Sequence, residues 1–202
     1  MASVLDRFFT MVKAKLVRAK TNTMPEAAAY TAVEHSVPKI VPLDEQRVSR
    51  DDALGGHPMA AEDEVRQASD RFYAALNSIV NGDPGPMSAV WAHSADVTTM
   101  HPIGEREVGW EHVRPVFEQV GSIASGGQAR LRDQLIRVGT DLAYEVGIEE
   151  GEATLAGERV ALNQRVTNIY RREGGEWKIV HHHSDPSPAA NDLLSRLQPP
   201  PQ

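Results

Sequence analysis

The sequence predicts an α+β domain in which one curved, largely antiparallel sheet buries its inner face on about three helices. Three observations predict it. Apolar residues recur at helical spacing up to about residue 124, the period switches to two after Ser125-Gly126-Gly127, and short glycine-bearing turns join the period-two runs that follow. Short turns between successive strands imply an antiparallel meander.

The elements follow in order. Val4, Leu5, Phe8, Val12 and Leu16 recur at helical spacing with Arg7, Lys13, Lys15, Arg18 and Lys20 between them, which predicts a basic amphipathic helix over residues 4–20. Such a helix packs on its own domain or subunit, docks to a partner protein, or lies on an anionic membrane surface. Prolines 25, 38 and 42 and the charged run Asp44-Glu45-Gln46-Arg47 predict a linker, so residues 1–60 stand apart from a domain over 61–197. That domain opens with a helix whose inner face carries Val65, Ser69, Phe72, Leu76 and Ile79, with Glu62, Asp63 and Glu64 in its first turn and Asn81-Gly82 at its end. A turn at Asp83-Pro84-Gly85-Pro86 leads to a short helix with Met87, Val90 and Trp91, then a brief strand over 97–101 that stops at Pro102. A third helix starts near Gly109 with Val113, Val116, Phe117 and Val120 inside; Pro115 fits its interior poorly and predicts a kink or a late start. Strands follow over 129–138, 142–150, 158–170 and 177–184, and residues 198–202 with their three prolines form a disordered tail.

Composition bounds the function. The chain has 202 residues, 41% hydrophobic and 24% charged, enough for a real core under an ordinary surface. A net charge of −7 repels phosphate backbones, so no nucleic-acid partner is expected. The absence of cysteine removes disulfides, thiolate metal sites and a thiol nucleophile, and with no apolar run of bilayer length it points to a cytoplasmic protein. No nucleophile elbow, phosphate loop, dinucleotide fingerprint or helical zinc motif is present, so no cofactor is expected.

Three stretches carry a family resemblance: Arg71-Phe72-Tyr73-Ala74-Ala75-Leu76-Asn77, then His101-Pro102-Ile103-Gly104 with Gly109-Trp110, and Trp177-Lys178-Ile179-Val180-His181-His182-His183-Ser184. With the order of elements, they resemble the SnoaL-like and ketosteroid-isomerase-like branch of the nuclear transport factor 2-like superfamily, over about residues 62–186. The resemblance implies a sheet wrapped into a cone, a deep apolar pocket for a small-molecule ligand, and a homodimer or higher homo-oligomer through the outer sheet face. It also places the isomerases' aspartate base at His101, their tyrosine donor at Phe72 beside Tyr73, and their second acid near Thr167. All three catalytic residue types are therefore missing, and steroid isomerisation by that mechanism is not expected.

The candidate site is built on this frame. His101 is the expected base, because an unperturbed imidazole titrates near working pH; the alternative is a histidine that only bonds its turn. Strand alternation puts Val180, His182 and Ser184 on one face, so Val180 and His182 are expected to look inward, with His182 polarising the substrate. Arg165 shares a face with Thr167 and Ile169; inward it would bind a carboxylate or enolate, or pair with Glu150. A shift of one residue would turn Arg165 and Glu150 outward as a solvated pair. The pocket wall is expected to include Phe72, Tyr73, Trp91, Trp110, Tyr144, Val146 and Ile148. His181-His182-His183 lacks the third and fourth ligands a metal would need, so no metal site is expected. The expected activity is cofactor-independent proton transfer: isomerisation, cyclisation or dehydration. The rival is a non-catalytic ligand-binding or oligomerisation scaffold whose basic N-terminal helix does the docking.

Overall fold

The structure, a computed structural model, describes residues 58–197; the expected basic helix at 4–20, the linker and the tail lie outside the described residues. Four helices, α1 Pro58–Val80, α2 Met87–Val90, α3 Trp110–Ile123 and α4 Pro188–Leu197, accompany six strands. The strands are β1 Thr98–Met100, β2 Arg106–Val108, β3 Ala124–Val138, β4 Leu142–Leu155, β5 Glu158–Glu173 and β6 Glu176–Ser184. They form one sheet in the order β2-β1-β6-β5-β4-β3, curved and unclosed. This is the expected α+β cone.

Local rules account for most boundaries. The α1 face of Val65, Ala68, Phe72, Ala75 and Ile79 repeats at three and four residues, and all five are buried. Gly109, at φ 85°, precedes α3, which runs on through Pro115 without the late start its proline predicted. Ala156 and Gly157, both at positive φ, close the β4–β5 hairpin in two residues. That turn fixes the register, pairing Leu155 with Glu158 and, further along, Glu149 with Gln164 and Glu145 with Asn168.

Three features depart from the expectation. β1 pairs in parallel with β6, setting Thr99 opposite His182, so one junction of the sheet is not antiparallel. A short strand, β2, pairs with β1 and lengthens that edge. The chain also continues past β6 into α4, whose Ala190 and Leu193 are buried against Val80, Ala153, Leu155 and Val160. This second apolar cluster closes one end of the cone. The larger cluster joins α1, Trp91, Trp110, Val113 and Phe117 to Ile136, Tyr170, Trp177 and Ile179 of the sheet.

Candidate active site in an apolar cavity

A cavity of about 100 Å³ lies between the two clusters. Its wall is mainly hydrocarbon, with Phe72, Leu76 and Ile79 from α1, Phe117 from α3 and Leu155, Val160 and Leu162 from the sheet. The polar exceptions are His101, His182, Glu149, Gln164 and Ser187. No Lys or Arg is among the described residues that line it.

The two histidines arrive from different elements. β1 runs parallel to β6 with Thr99 beside His182, and two residues of alternation carry His101 to the same side of the sheet. The rings stand 5.6 Å apart between centroids. His101 packs edge-on to Phe117 at 5.2 Å, and its Nε2 lies 3.2 Å from Thr99 Oγ1. His182 is buried, 5.4 Å from the Phe72 ring, and its Nδ1 lies 2.7 Å from Asn168 Oδ1. Burial, then the neighbouring His101, pulls its imidazole well below the ordinary histidine range.

Two buried carboxyl groups share the inner face of β4. Glu145 accepts from Gln134 Nε2 at 2.6 Å, Asn168 Nδ2 at 2.7 Å and the Tyr170 hydroxyl at 3.1 Å. Glu149, in the cavity wall, accepts one bond, from Gln164 Nε2 at 2.8 Å, and its Oε2 has no partner among the described residues. Burial pushes its carboxyl up to about 7, against the lowering pull of Gln164. An apolar wall with an orphan oxygen disfavours the carboxylate form, because a buried charge needs donors or a counter-ion. Tyr73 lies behind the wall; burial and then Glu149 and Glu145 raise its hydroxyl far above the ordinary phenol range, against a lowering pull from Asn168.

Of the residues expected at the site, the structure brings Phe72, His101 and His182 to the cavity. Arg165 points out of the sheet with its side chain 80% exposed, held by Asp185 at 2.6 and 3.1 Å. Glu150 also points outward, bonded to Arg130 and Arg132 at 2.9 Å each. Arg165 and Glu150 thus face solvent with separate partners. Tyr144, Val146, Ile148, Thr167 and Ile169 sit on the same outer face, because β4 and β5 are one residue out of the assumed phase. Val180 falls at an irregularity where Ile169 pairs with His181 but Tyr170 with Ile179, so Ile179 takes the inward place. Trp91 and Trp110 are core, packed on each other at 6.3 Å and, for Trp110, on His93 at 4.4 Å. Tyr73 packs edge-on to Phe72 at 5.2 Å rather than facing the cavity.

The residues that sequence reading missed are Glu149, Gln164, Glu145 and Asn168. A signal for them existed. On β5 the apolar residues Val160, Leu162, Val166 and Tyr170 share one parity while Arg159, Asn163, Arg165 and Arg171 share the other. Inward parity on β5 passes through the two-residue turn to odd positions on β4.

Residues 65–189, more than half of the chain, match the model of the SnoaL-like domain. The chain belongs to the SnoaL-like family. Solved structures share the fold of this SnoaL-like domain. A Streptomyces avermitilis protein of the NTF2-like family, named as a candidate dehydratase, is 24% identical, with 66% of this chain and 100% of that one covered at a TM-score of 0.57. A Novosphingobium aromaticivorans protein named as a candidate aromatic ring hydroxylase is 17% identical, covering 64% and 91% at 0.57. A candidate calcium/calmodulin-dependent protein kinase II association domain from Xanthomonas campestris is 21% identical, covering 62% and 89% at 0.52. No curated protein matches the chain.

Proposed function

We propose that the SnoaL-like domain is a cofactor-independent acid–base enzyme acting on a small, uncharged molecule that carries a carbonyl or hydroxyl group. One observation carries the reading: the Oε2 of Glu149, unpartnered among the described residues, and the imidazoles of His101 and His182 share one mainly apolar wall. A protonated carboxyl donates to a carbonyl oxygen or a leaving hydroxyl, and a neutral imidazole accepts a proton from the adjacent carbon. In an isomerisation the proton leaves one carbon and returns to another. In a dehydration a C–H bond breaks toward imidazole, the electron pair forms C=C, and the C–O bond breaks as Glu149 protonates the departing hydroxyl. Size and charge narrow the ligand. A cavity of about 150 Å³ takes benzene, so one of about 100 Å³ takes roughly a single small ring or less. With no Lys or Arg among the described residues of the wall, an anion would stay uncompensated there. Candidate dehydratase and ring hydroxylase names among the neighbours fit substrates of this kind.

The test is exchange of α-hydrogens of cyclohexanone and related small ketones in deuterated buffer, followed by NMR. Catalysed exchange is expected, and Glu149→Gln and His182→Ala are each expected to lower it by about two orders of magnitude or more. No acceleration over a panel of ring-sized carbonyl compounds would discard the reading.

Assembly has its own support. The exposed large apolar side chains Met100, Val108, Leu135, Leu142 and Tyr144 all lie on the outer sheet face, away from the helices. We assign that face to a homo-oligomeric contact, as the association-domain neighbour's name also fits.

A further inference from the structure

A polar row crosses the apolar inner face of the sheet. Glu145 of β4, Asn168 of β5, His182 of β6 and Thr99 of β1 are successive cross-strand partners. All four are buried. Buried polar groups on a core face are costly unless each is satisfied, and here three of them form one hydrogen-bonded chain.

The chain has a fixed polarity. Arg66, half exposed on α1, only donates, and it bonds the carbonyl oxygen of Gln134. That leaves the Gln134 amide nitrogen for Glu145 Oε2 and, at 3.2 Å, Ser69 Oγ. Glu145 takes three donors on its two oxygens, so the Asn168 group that faces it is the amide nitrogen. The Asn168 carbonyl oxygen is therefore the group that faces His182 Nδ1 at 2.7 Å. An acceptor there requires that Nδ1 carry the proton. In a neutral imidazole the other nitrogen, Nε2, then holds the lone pair, and the ring lines the cavity.

We propose that Glu145 and Asn168 are positioning residues that hold His182 as its Nδ1–H tautomer, so that Nε2 is the proton acceptor presented to the ligand. This rests on the acid–base reading above and names His182, rather than His101, as its base. Asn168 suits the task in a way an aspartate would not. A neutral amide fixes the tautomer and ring orientation without adding a negative charge that would hold the ring as imidazolium. Glu145, one residue further back, supplies the acceptor that fixes the amide.

The tautomer is read directly on the resting protein. Long-range ¹H–¹⁵N correlation spectra of histidine-labelled full-length protein, assigned through the His182→Ala variant, are expected to show His182 as the Nδ1–H form at neutral pH. An Nε2–H form or an imidazolium there overturns the proposal whatever the enzyme turns over. Asn168→Leu removes the acceptor, and the ring is expected to shift toward Nε2–H. With cyclohexanone as the exchange probe, kcat is expected to fall about 100-fold or more with KM changed less than about threefold, as loss of a correctly oriented base requires. A folded Asn168→Leu protein that keeps both its tautomer and its kcat also overturns the proposal. If instead the tautomer shifts as expected while neither wild type nor variant exchanges the ketone, the positioning stands and the proton-transfer reading fails.

Discussion

Glu149 and His182 are buried within one wall but titrate in opposite senses. The Glu149 carboxyl moves from an ordinary 4.5 to about 7, so folding favours its protonated form. Its contribution to stability is complete below about pH 4.5 and is lost as pH rises through about 7, a change of about 3 kcal/mol at most. His182 is displaced downward, so its contribution is complete above the ordinary histidine value of 6.5 and is lost on acidification. Glu149→Gln keeps the shape and stays neutral at every pH. Thermal melts are expected to show that variant gaining on wild type between pH 5 and pH 8, by roughly 5 °C or more at the upper end. An equal difference at both pH values would mean that the carboxyl is not protonated in the fold. At this scale the sequence was partly legible. His101 and His182 were named because the family resemblance puts its base at the first and, on strand alternation, an inward side chain at the second, although the same phase wrongly put Val180 inward. Glu149 was passed over for Glu150, because apolar Tyr144, Val146 and Ile148 made the even positions of β4 look like the inner ones.

At the scale of elements, the bent hairpin of β3 and β4 carries the wall residues Glu149, Ala153 and Leu155. Gly151 has φ 144°, and a Cβ there would lie 1.9 Å from the Gln128 carbonyl oxygen; at Gly127, φ 147°, it would lie 2.3 Å from that of Glu152. Gly127 opposite Ala153 and Gly151 opposite Ala129 let the two strands approach closely, which few other residues would permit. Gly151→Ala is expected to cost roughly 2–4 kcal/mol, because backbone must move and φ is unfavourable. Gly174→Ala is the control: its φ of 58° is also left-handed, but no atom lies within 4 Å of the added carbon. That change is expected to cost only about 1–2 kcal/mol. Urea midpoints at matched m-values separate the two, and equal losses would mean that crowding at residue 151 is unimportant. A second element matters for closure. Leu193 of α4 is fully buried beside the wall residues Ala153, Leu155 and Val160, and Leu193→Ala is expected to cost about 2–4 kcal/mol. Little in the sequence announced α4, since its proline, two alanines and short length resemble a fraying end. Helix α1, by contrast, declared itself through Val65, Ser69, Phe72, Leu76 and Ile79 at helical spacing.

At the scale of the molecule, the large exposed apolar side chains among the described residues gather on the outer face of the sheet. Leu142 and Tyr144 are 54% and 44% exposed there. Cross-strand pairing puts Tyr144 beside Ile169 and Val146 beside Thr167 on that face. Tyr144→Arg combined with Ile169→Glu is expected to leave the circular dichroism unchanged and to lower the sedimentation-derived mass to that of one chain. A wild-type protein that already sediments as one chain would refute the assembly.

The sequence determined most of the element order, though not β2 or α4, because helical and strand periodicities and short turns are local properties, and its resemblance to the SnoaL-like family implied a pocket with His101 and His182 facing it. The tertiary structure decided which face of each strand is inner, that β1 lies parallel to β6, and that Glu145, Asn168 and His182 form one bonded row. The physical reason is that both faces of this sheet carry apolar residues. On β4, where Tyr144, Val146 and Ile148 oppose Ala143, Ala153 and Leu155 in parity, hydrophobic alternation alone misreports the buried side, and pairing with β5 across the Ala156-Gly157 turn breaks the tie.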